Sequence, residues 1–393
     1  MELRKFIDKI KPTFVEGGRF PWLKSTFEAF ETFAFTPNTV TRQGSHIRDA
    51  VDMKRTMITV VIALIPALLF GMWNLGYQRE LALMHGDSWF EMWWWGFCNM
   101  LPMIVVSYLV GLAIEFAFAQ IRHHEVNEGF LVTGLIIPMI VPSATPLWQL
   151  ALAVAFAVVI GKEVFGGTGM NFLNPALVAR AFLFFSYPSH MSGDSVWVSL
   201  DHYSRVEALT GATPLGEMMA GSARPSASVL DMFVGTIPGS CCETSVIAIL
   251  LGACVLLVAG VASWRIMVSV FLGGGLMGLL FNMIGGNVYM QLPFYYHFLM
   301  GGFMFGAVFM ATDPVTSAQT NRGKWIYGLL IGAFAVLLRV VNPAYPEGMM
   351  LSILLMNCLA PLIDHCVVAS NIKARKRRVR QLVGGEETNG GKQ

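Results

Sequence analysis

The sequence predicts an all-α integral membrane protein of about ten transmembrane helices, built as two inverted five-helix repeats with broken half-helices. Three observations carry this. Hydrophobic residues make up 55% of the 393-residue chain and charged residues only 13%, with a mean hydropathy of +0.58, whereas a soluble domain carries roughly 25% charged residues. Apolar blocks long enough to cross a bilayer at about 20 residues each recur along the chain. Short polar, glycine- or proline-containing breaks interrupt them, as in the discontinuous helices of membrane proteins that hold ligands at depth.

The first 55 residues form an extension whose Phe27, Phe30, Phe33 and Phe35 lie between acidic residues. Such a segment lies on a membrane surface or packs against another protein of a complex. The start of the chain is charged and has no apolar core, so no signal peptide is expected. The spans follow at 56–75, 96–119, 129–141, 147–160 and 172–187. A polar loop covers 188–244, and a second set follows at 246–262, 267–284, 295–311, 325–341 and 349–369. The third span is short and contains Pro138. The expected domains are therefore an extension (1–55), a first repeat (56–187), a loop (188–244), a second repeat (245–369) and a basic tail (370–393).

Lysine and arginine placement orients the spans. Arg48, Lys54 and Arg55 precede the first span, Arg122 follows the second, Arg265 follows the sixth, and Arg322 and Lys324 precede the ninth. The tail holds Lys373, Arg375, Lys376, Arg377, Arg378 and Arg380. All fall on one side, so both termini are expected in the cytoplasm and the loop 188–244 outside it. The loop's acids (Asp194, Asp201, Glu207, Glu217, Asp231 and Glu243) suit that side. Net charge is +2 and the cations sit in short juxtamembrane blocks, which gives no footprint for nucleic acid.

An internal repeat is also indicated. Residues 134–140 parallel 278–284, and at the same offset Val164-Phe165 matches Val308-Phe309 and Thr168 matches Thr312. Five spans per half favour inversion, yet the matched letters fall in the third and seventh spans, which would run the same way.

Two polar loops could carry chemistry. One is Gly166-Gly167-Thr168-Gly169-Met170-Asn171-Phe172-Leu173-Asn174-Pro175, and the other is Thr312-Asp313-Pro314-Val315-Thr316. Glycines admit close approach, and the asparagines offer donors and acceptors. Asp313 before Pro314 also reads as an ordinary helix cap. Ionisable residues within spans are costly unless paired or wetted. Glu115, Lys162, Glu163, Arg180, Arg339 and Asp364 qualify, with Asp364 and Glu115 the candidates for ion coupling. His123-His124-Glu125 with Glu128 resembles a metal cluster, but neighbouring helical side chains diverge by ~100°, so a solvated turn is the better reading. The six cysteines contain no CxxC pair, and vicinal Cys241-Cys242 reads as two small residues entering a helix. No metal site is expected.

Thr210-Gly211-Ala212-Thr213, with Glu207 upstream, lies in the loop between the two apolar halves. On letters alone it is a turn before an amphipathic segment. In a loop outside the cytoplasm it resembles the segment to which a flavin transferase attaches FMN by a phosphoester to the last threonine. A threonine hydroxyl has no base here to make it a nucleophile, so a dedicated enzyme is required. Pro214 keeps Thr213 extended.

Further strings extend the resemblance over nearly the whole chain. They are Phe33-Ala34-Phe35-Thr36-Pro37, the run from Arg48 to Arg55, Asn127-Glu128-Gly129-Phe130, Lys162 to Gly169, Asn171 to Ala176, Ala311-Thr312-Asp313-Pro314 and Ala360 to His365. Together they resemble the B subunits of the sodium-translocating NADH:quinone oxidoreductases (the NQR complexes), within the NqrB/RnfD family. That family's attachment segment usually has Asp where this chain has Glu207.

The resemblance implies covalent FMN on Thr213 and a noncovalent riboflavin between the halves, with Asn171 and Asn174 among its contacts. Thr168, Gly169 and Asp313 complete the expected cofactor-binding set. Ubiquinone would be reduced near Glu128 and Gly129. Five further subunits, a flavin transferase of the ApbE type, membrane lipid and exported Na+ are the implied partners, in a bacterial inner membrane. The D subunit of an Rnf-type ferredoxin:NAD oxidoreductase and a cofactor-free transporter on the same scaffold are the competing readings.

Overall fold

A computed structural model describes residues 7, 9–14, 27, 31–32, 35, 40–47, 51–122, 129–191, 193, 196–198, 211–222, 224–342 and 347–389. The described chain is all-helical, without strands. Among the described residues, six helices are long and apolar enough to cross a membrane. Large apolar side chains such as Leu109 (66% exposed), Phe185 (70%) and Leu276 (59%) face outward. Water would penalise that surface and lipid does not. The protein is an all-α integral membrane protein.

Every predicted span has a helical counterpart. The first half comprises α1 (Met53–Leu83), α2 (Trp89–Arg122), α3 (Phe130–Ile140), α4 (Leu147–Val159) and α5 (Pro175–Ser186). Two short helices, α6 (Pro214–Met219) and α7 (Val229–Val234), lie in the connecting loop. The second half comprises α8 (Val246–Val258), α9 (Trp264–Ile284), a broken span, α12 (Asn321–Val341) and α13 (Met349–Asn389). The broken span is α10 (Tyr296–Leu299), a turn, then α11 (Phe303–Phe305) running into a π-helical turn at Gly306–Met310.

Lengths and ends follow from local chemistry. With 11 residues, α3 reaches only about 16 Å at ~1.5 Å per residue, half the hydrocarbon layer, and Pro142 follows its end. Asn174 caps α5, its Oδ1 accepting from Ala176 N at 3.0 Å with Pro175 in the first helical position. Thr320 caps α12 by accepting from Gly323 N at 3.1 Å. Asp364 braces that start: it accepts from Gln319 N at 2.7 Å, Thr320 N at 3.0 Å and Thr320 Oγ1 at 2.5 Å.

The two halves are packed alike. In the first, α2 and α4 lie together with their C-terminal ends adjacent, Arg122 donating to Glu163 Oε2 at 3.2 Å just beyond α4. In the second, α9 and α12 run parallel at close range: Ile266 and Ser269 meet Gly328, Val270 meets Gly332, and Gly273 meets Leu329. First elements pair across the halves (α1 with α8) and so do fifth elements (α5 with α13). α8 runs antiparallel to α1, Gly252 resting on Ala63 and Cys241, before α8, resting on Gly71. This is the pattern that two inverted five-helix repeats produce.

The letter matches do not mark the repeat. Residues 134–140 belong to α3, the third element of its half, whereas 278–284 end α9, the second element of the other. Apolar helices share letters whatever their place, and shape, not identity, carries the relation between the halves.

The α9–α12 contact admits no side chain at its glycines. A Cβ on Gly332 would overlap the Val270 carbonyl oxygen, and backbone cannot yield as a side chain does. Gly332→Leu is expected to destabilise the protein by about 3 kcal/mol or more, read as loss of the monodisperse peak and a lowered melting temperature in detergent. Leu276→Ala, on the exposed face of α9, is expected to leave both unchanged.

Candidate functional site

Two cavities lie at opposite ends of the bundle. The first is at the end that carries Lys54, Arg122, Arg265 and Lys324. Its volume is about 90 Å³, and it is lined from α1, the start of α3, the 162–175 loop, the end of α8 and the 309–315 turn. The 162–175 loop holds its shape through glycines at positive φ, Gly166 at 118°, Gly167 at 94° and Gly169 at 91°, a backbone region that glycine enters without strain. Arg122 anchors the loop by donating to the Glu163 carbonyl at 2.7 Å.

Five of the predicted residues line this cavity: Gly129, Thr168, Asn171, Asn174 and Asp313. Asn171 Nδ2 donates to the Leu173 carbonyl at 2.9 Å, so its Oδ1 takes no part in that bond, nor Asn174 Nδ2 in the α5 cap. Asp313 accepts from Val315 N at 3.2 Å and Thr316 Oγ1 at 2.8 Å, closing the 313–316 turn. Val60, Ile136 and Phe309 supply apolar wall. An amide edge beside apolar faces suits a flat, amphiphilic ring. Gly169 is exposed and lies outside the lining. Glu128 lies outside the described residues, as do His123, His124, Glu125, Glu207, Thr210 and most of the extension.

The two ion-coupling candidates sit differently. Lys162, also on the cavity wall, donates to Glu115 of α2 in a pair buried on both sides. Asp364 is absent from the cavity wall and holds the start of α12, as described above. Spacing alone reveals neither arrangement, because each joins residues of separate spans.

The second cavity, about 230 Å³, lies toward the opposite end, and Thr213 is part of its wall. Thr213 is extended (φ −74°, ψ 154°), as Pro214 requires, and caps α6, its Oγ1 accepting from Gly216 N at 3.1 Å. The hydroxyl is half-buried and uses a lone pair there, not its proton. An ester at this oxygen would retain the lone pair, and Gly211 and Ala212 put little bulk beside it. Phe184, Met191, Trp197 and Met219 make the wall largely apolar. These features fit a tethered aromatic group.

Charge in this wall comes from a cluster that sequence reasoning reaches only in part. Arg180 of α5 donates to Glu243 Oε1 at 2.9 Å and also pairs with Glu347. Ser240 donates to the other oxygen of Glu243. The cost of a charge within a span points to Arg180 but not to its two acids. An acid immediately before the Thr244-Ser245 start of an apolar block is the available signal for Glu243. Arg339, a candidate on the same grounds, donates instead to backbone carbonyls of Glu347 (2.9 Å), Met300 (2.9 Å) and His297.

Removing one partner of a buried ion pair strands the other. Lys162→Met is expected to cost about 3–5 kcal/mol, and the double variant Lys162→Met/Glu115→Gln to recover most of it. Thermal unfolding in detergent, run as a double-mutant cycle, reads this coupling.

Comparison with known proteins bears on what these cavities serve. Residues 40–373 match the NQR2, RnfD, RnfE family. The chain is 48% identical to the B subunit of the Na(+)-translocating NADH-quinone reductase of Stutzerimonas stutzeri, over 96% of this chain and 100% of the relative. It is 47% identical to the proteins of that name from Ectopseudomonas mendocina and Azotobacter vinelandii, at the same coverage. The chain belongs to the NQR2, RnfD, RnfE family.

Proposed function

We propose that the chain is the membrane subunit of a respiratory NADH:ubiquinone reductase that carries covalent FMN on Thr213 and couples electron flow to Na+ export. The observation that carries this is Thr213 itself: an extended, half-buried threonine on the wall of a largely apolar cavity, its hydroxyl proton unused, at the end opposite Lys54, Arg122, Arg265 and Lys324. The names of the relatives support the complex, its redox class and its ion. Their coverage of 96% of the chain favours this reading over the Rnf-type D subunit, whose likeness begins only at the first span.

In this reading both termini lie in the cytoplasm of a bacterial inner membrane and the 188–244 loop lies outside. The chain divides at residues 55, 187, 244 and 369. Flavins supply reversible acceptance of electrons; the residues of this chain hold and enclose them. Thr168, Asn171, Asn174 and Asp313 form the pocket for riboflavin between the halves, and Gly129 with Glu128 borders the ubiquinone site. Glu115 and Asp364 are the acids proposed for ion coupling. The other subunits deliver electrons from NADH, and a flavin transferase installs the FMN.

Flavin fluorescence of the denatured band on a gel tests the attachment in cells carrying an active transferase. Wild type and Thr213→Ser, which keeps both hydroxyl and cap, are expected to fluoresce and Thr213→Ala to be dark. A dark wild-type band beside a fluorescent control substrate would return the cofactor-free transporter reading. In Thr213→Ala protein, Asn174→Asp is expected to lower noncovalent flavin content at least about tenfold by placing an acceptor where the amide offers a donor, measured by fluorescence of the acid extract.

A further inference from the structure

Flavin attachment at Thr213 makes no use of the charges in the same wall. Arg180 and Glu243 have side chains 4% and 3% exposed, and Glu347, at 15%, pairs with the same guanidinium. Among the described residues, the charged groups facing Glu243 are Arg180 from α5, Glu347 from the segment before α13, and Arg339 from α12. The Cys242 thiol neighbours it on its own loop. Arg339 is engaged by three carbonyls, one of them that of Glu347.

Two carboxylates on one guanidinium in a low-dielectric wall do not both ionise cheaply. Glu347 is the more exposed and is gripped by Arg180 at its side chain and Arg339 at its main chain. Glu243 is the deeper and shares its cation. Gly302 leaves its carboxylate close contact with backbone, where a Cβ would stand 2.6 Å from Oε1. The proton of a neutral acid therefore belongs on Glu243.

We infer that Glu243 is the proton-exchanging group of the Thr213 cavity, taking a proton from the cavity's water when negative charge enters and returning it when that charge leaves. No bond to carbon is broken in this exchange; the carboxylate gains H+ and becomes the neutral acid. The inference deepens the flavin reading, since a phosphoester on Thr213 brings one negative charge to this wall. The cluster itself does not require the flavin.

Burial, with Glu347 adding and Arg180 opposing, pushes the Glu243 carboxyl up to about 7. A free glutamate ionises near ~4.3. The folded protein thus holds this proton more tightly than the unfolded chain. Glu243 accordingly costs folded stability as pH rises through the window between these values, and that loss is complete above the upper one.

The test uses the full chain carrying Thr213→Ala, free of attached flavin, in detergent. Infrared difference spectra between about pH 5 and 9 are expected to show a carboxylic acid C=O band that disappears with a midpoint near 7 and is missing in Glu243→Gln. Glu347→Gln, which removes the neighbouring negative charge that raises Glu243, is expected to lower that midpoint by about one unit or more. This second variant keeps the test decisive where Glu243→Gln does not fold. A band that survives Glu243→Gln, the absence of any titrating acid band, or an unmoved midpoint in Glu347→Gln overturns the inference. A dark wild-type gel band overturns flavin attachment and leaves this result standing.

Discussion

Arg339 holds the place where the eighth span comes apart. Backbone carbonyls freed inside a bilayer have no water to turn to, and each left bare costs several kcal/mol. The break between α10 and α11 frees those of His297 and Met300, and both accept from this one guanidinium. A third nitrogen reaches the Glu347 carbonyl and so fastens the segment that leads into α13. Arginine suits the task because its planar fork presents several donors at once and keeps its charge. With the break held, Gly301 can turn at φ +61° beside Leu215 of α6, and the wall of the Thr213 cavity closes. The cavity wall at Gly301 and the Glu347 end of the acid cluster thus meet at one side chain, which donates to three backbone carbonyls.

The same rule governs the loop before α8. It enters the protein from the Thr213 end, and Cys241, Cys242, Glu243, Thr244 and Ser245 are all buried. Asn74 of α1 donates to the Ile237 carbonyl at 3.0 Å, and Cys242 N donates to the Met139 carbonyl at 3.3 Å near the end of α3. Each irregular stretch is thus tied to a neighbouring helix. Asn174 both satisfies backbone, as the cap of α5, and lines a cavity.

Much of the fold is legible in the sequence because its signals are local. Apolar runs mark a helical element at each of the ten predicted spans, Pro175 marks a helix start, and the Gly166–Gly169 run marks a backbone that bends. Cavity membership is legible where residues lie in one loop, as with Thr168, Asn171 and Asn174. Partnerships across spans are not. Nothing in spacing places Glu115 against Lys162, or Glu243 and Glu347 on Arg180, because the angle and depth at which helices cross decide such contacts. Asp364 is a further case: cost alone singles out an acid within a span, but spacing does not show that its carboxylate also supports the start of a neighbouring helix. The internal repeat misleads for a related reason, since apolar sequence is too uniform to register which helix matches which.

Parallel packing of the second and fourth spans in each half fixes where the chain can break. Two touching helices that run the same way need a return crossing between them in sequence, and that crossing has no room in their interface. It is displaced to the inside, where α3 packs against α1, α2 and α5, and the broken span against α8, α9 and α13. α3 is the return in the first half, buried from Gly134 to Ile140; the broken span is the return in the second, buried from Phe305 to Thr312. These two elements are screened from lipid along those stretches, so they can lose helix without exposing backbone to hydrocarbon. The topology thus works as a fence: it keeps α3 and the broken backbone of the eighth span in the interior along those stretches.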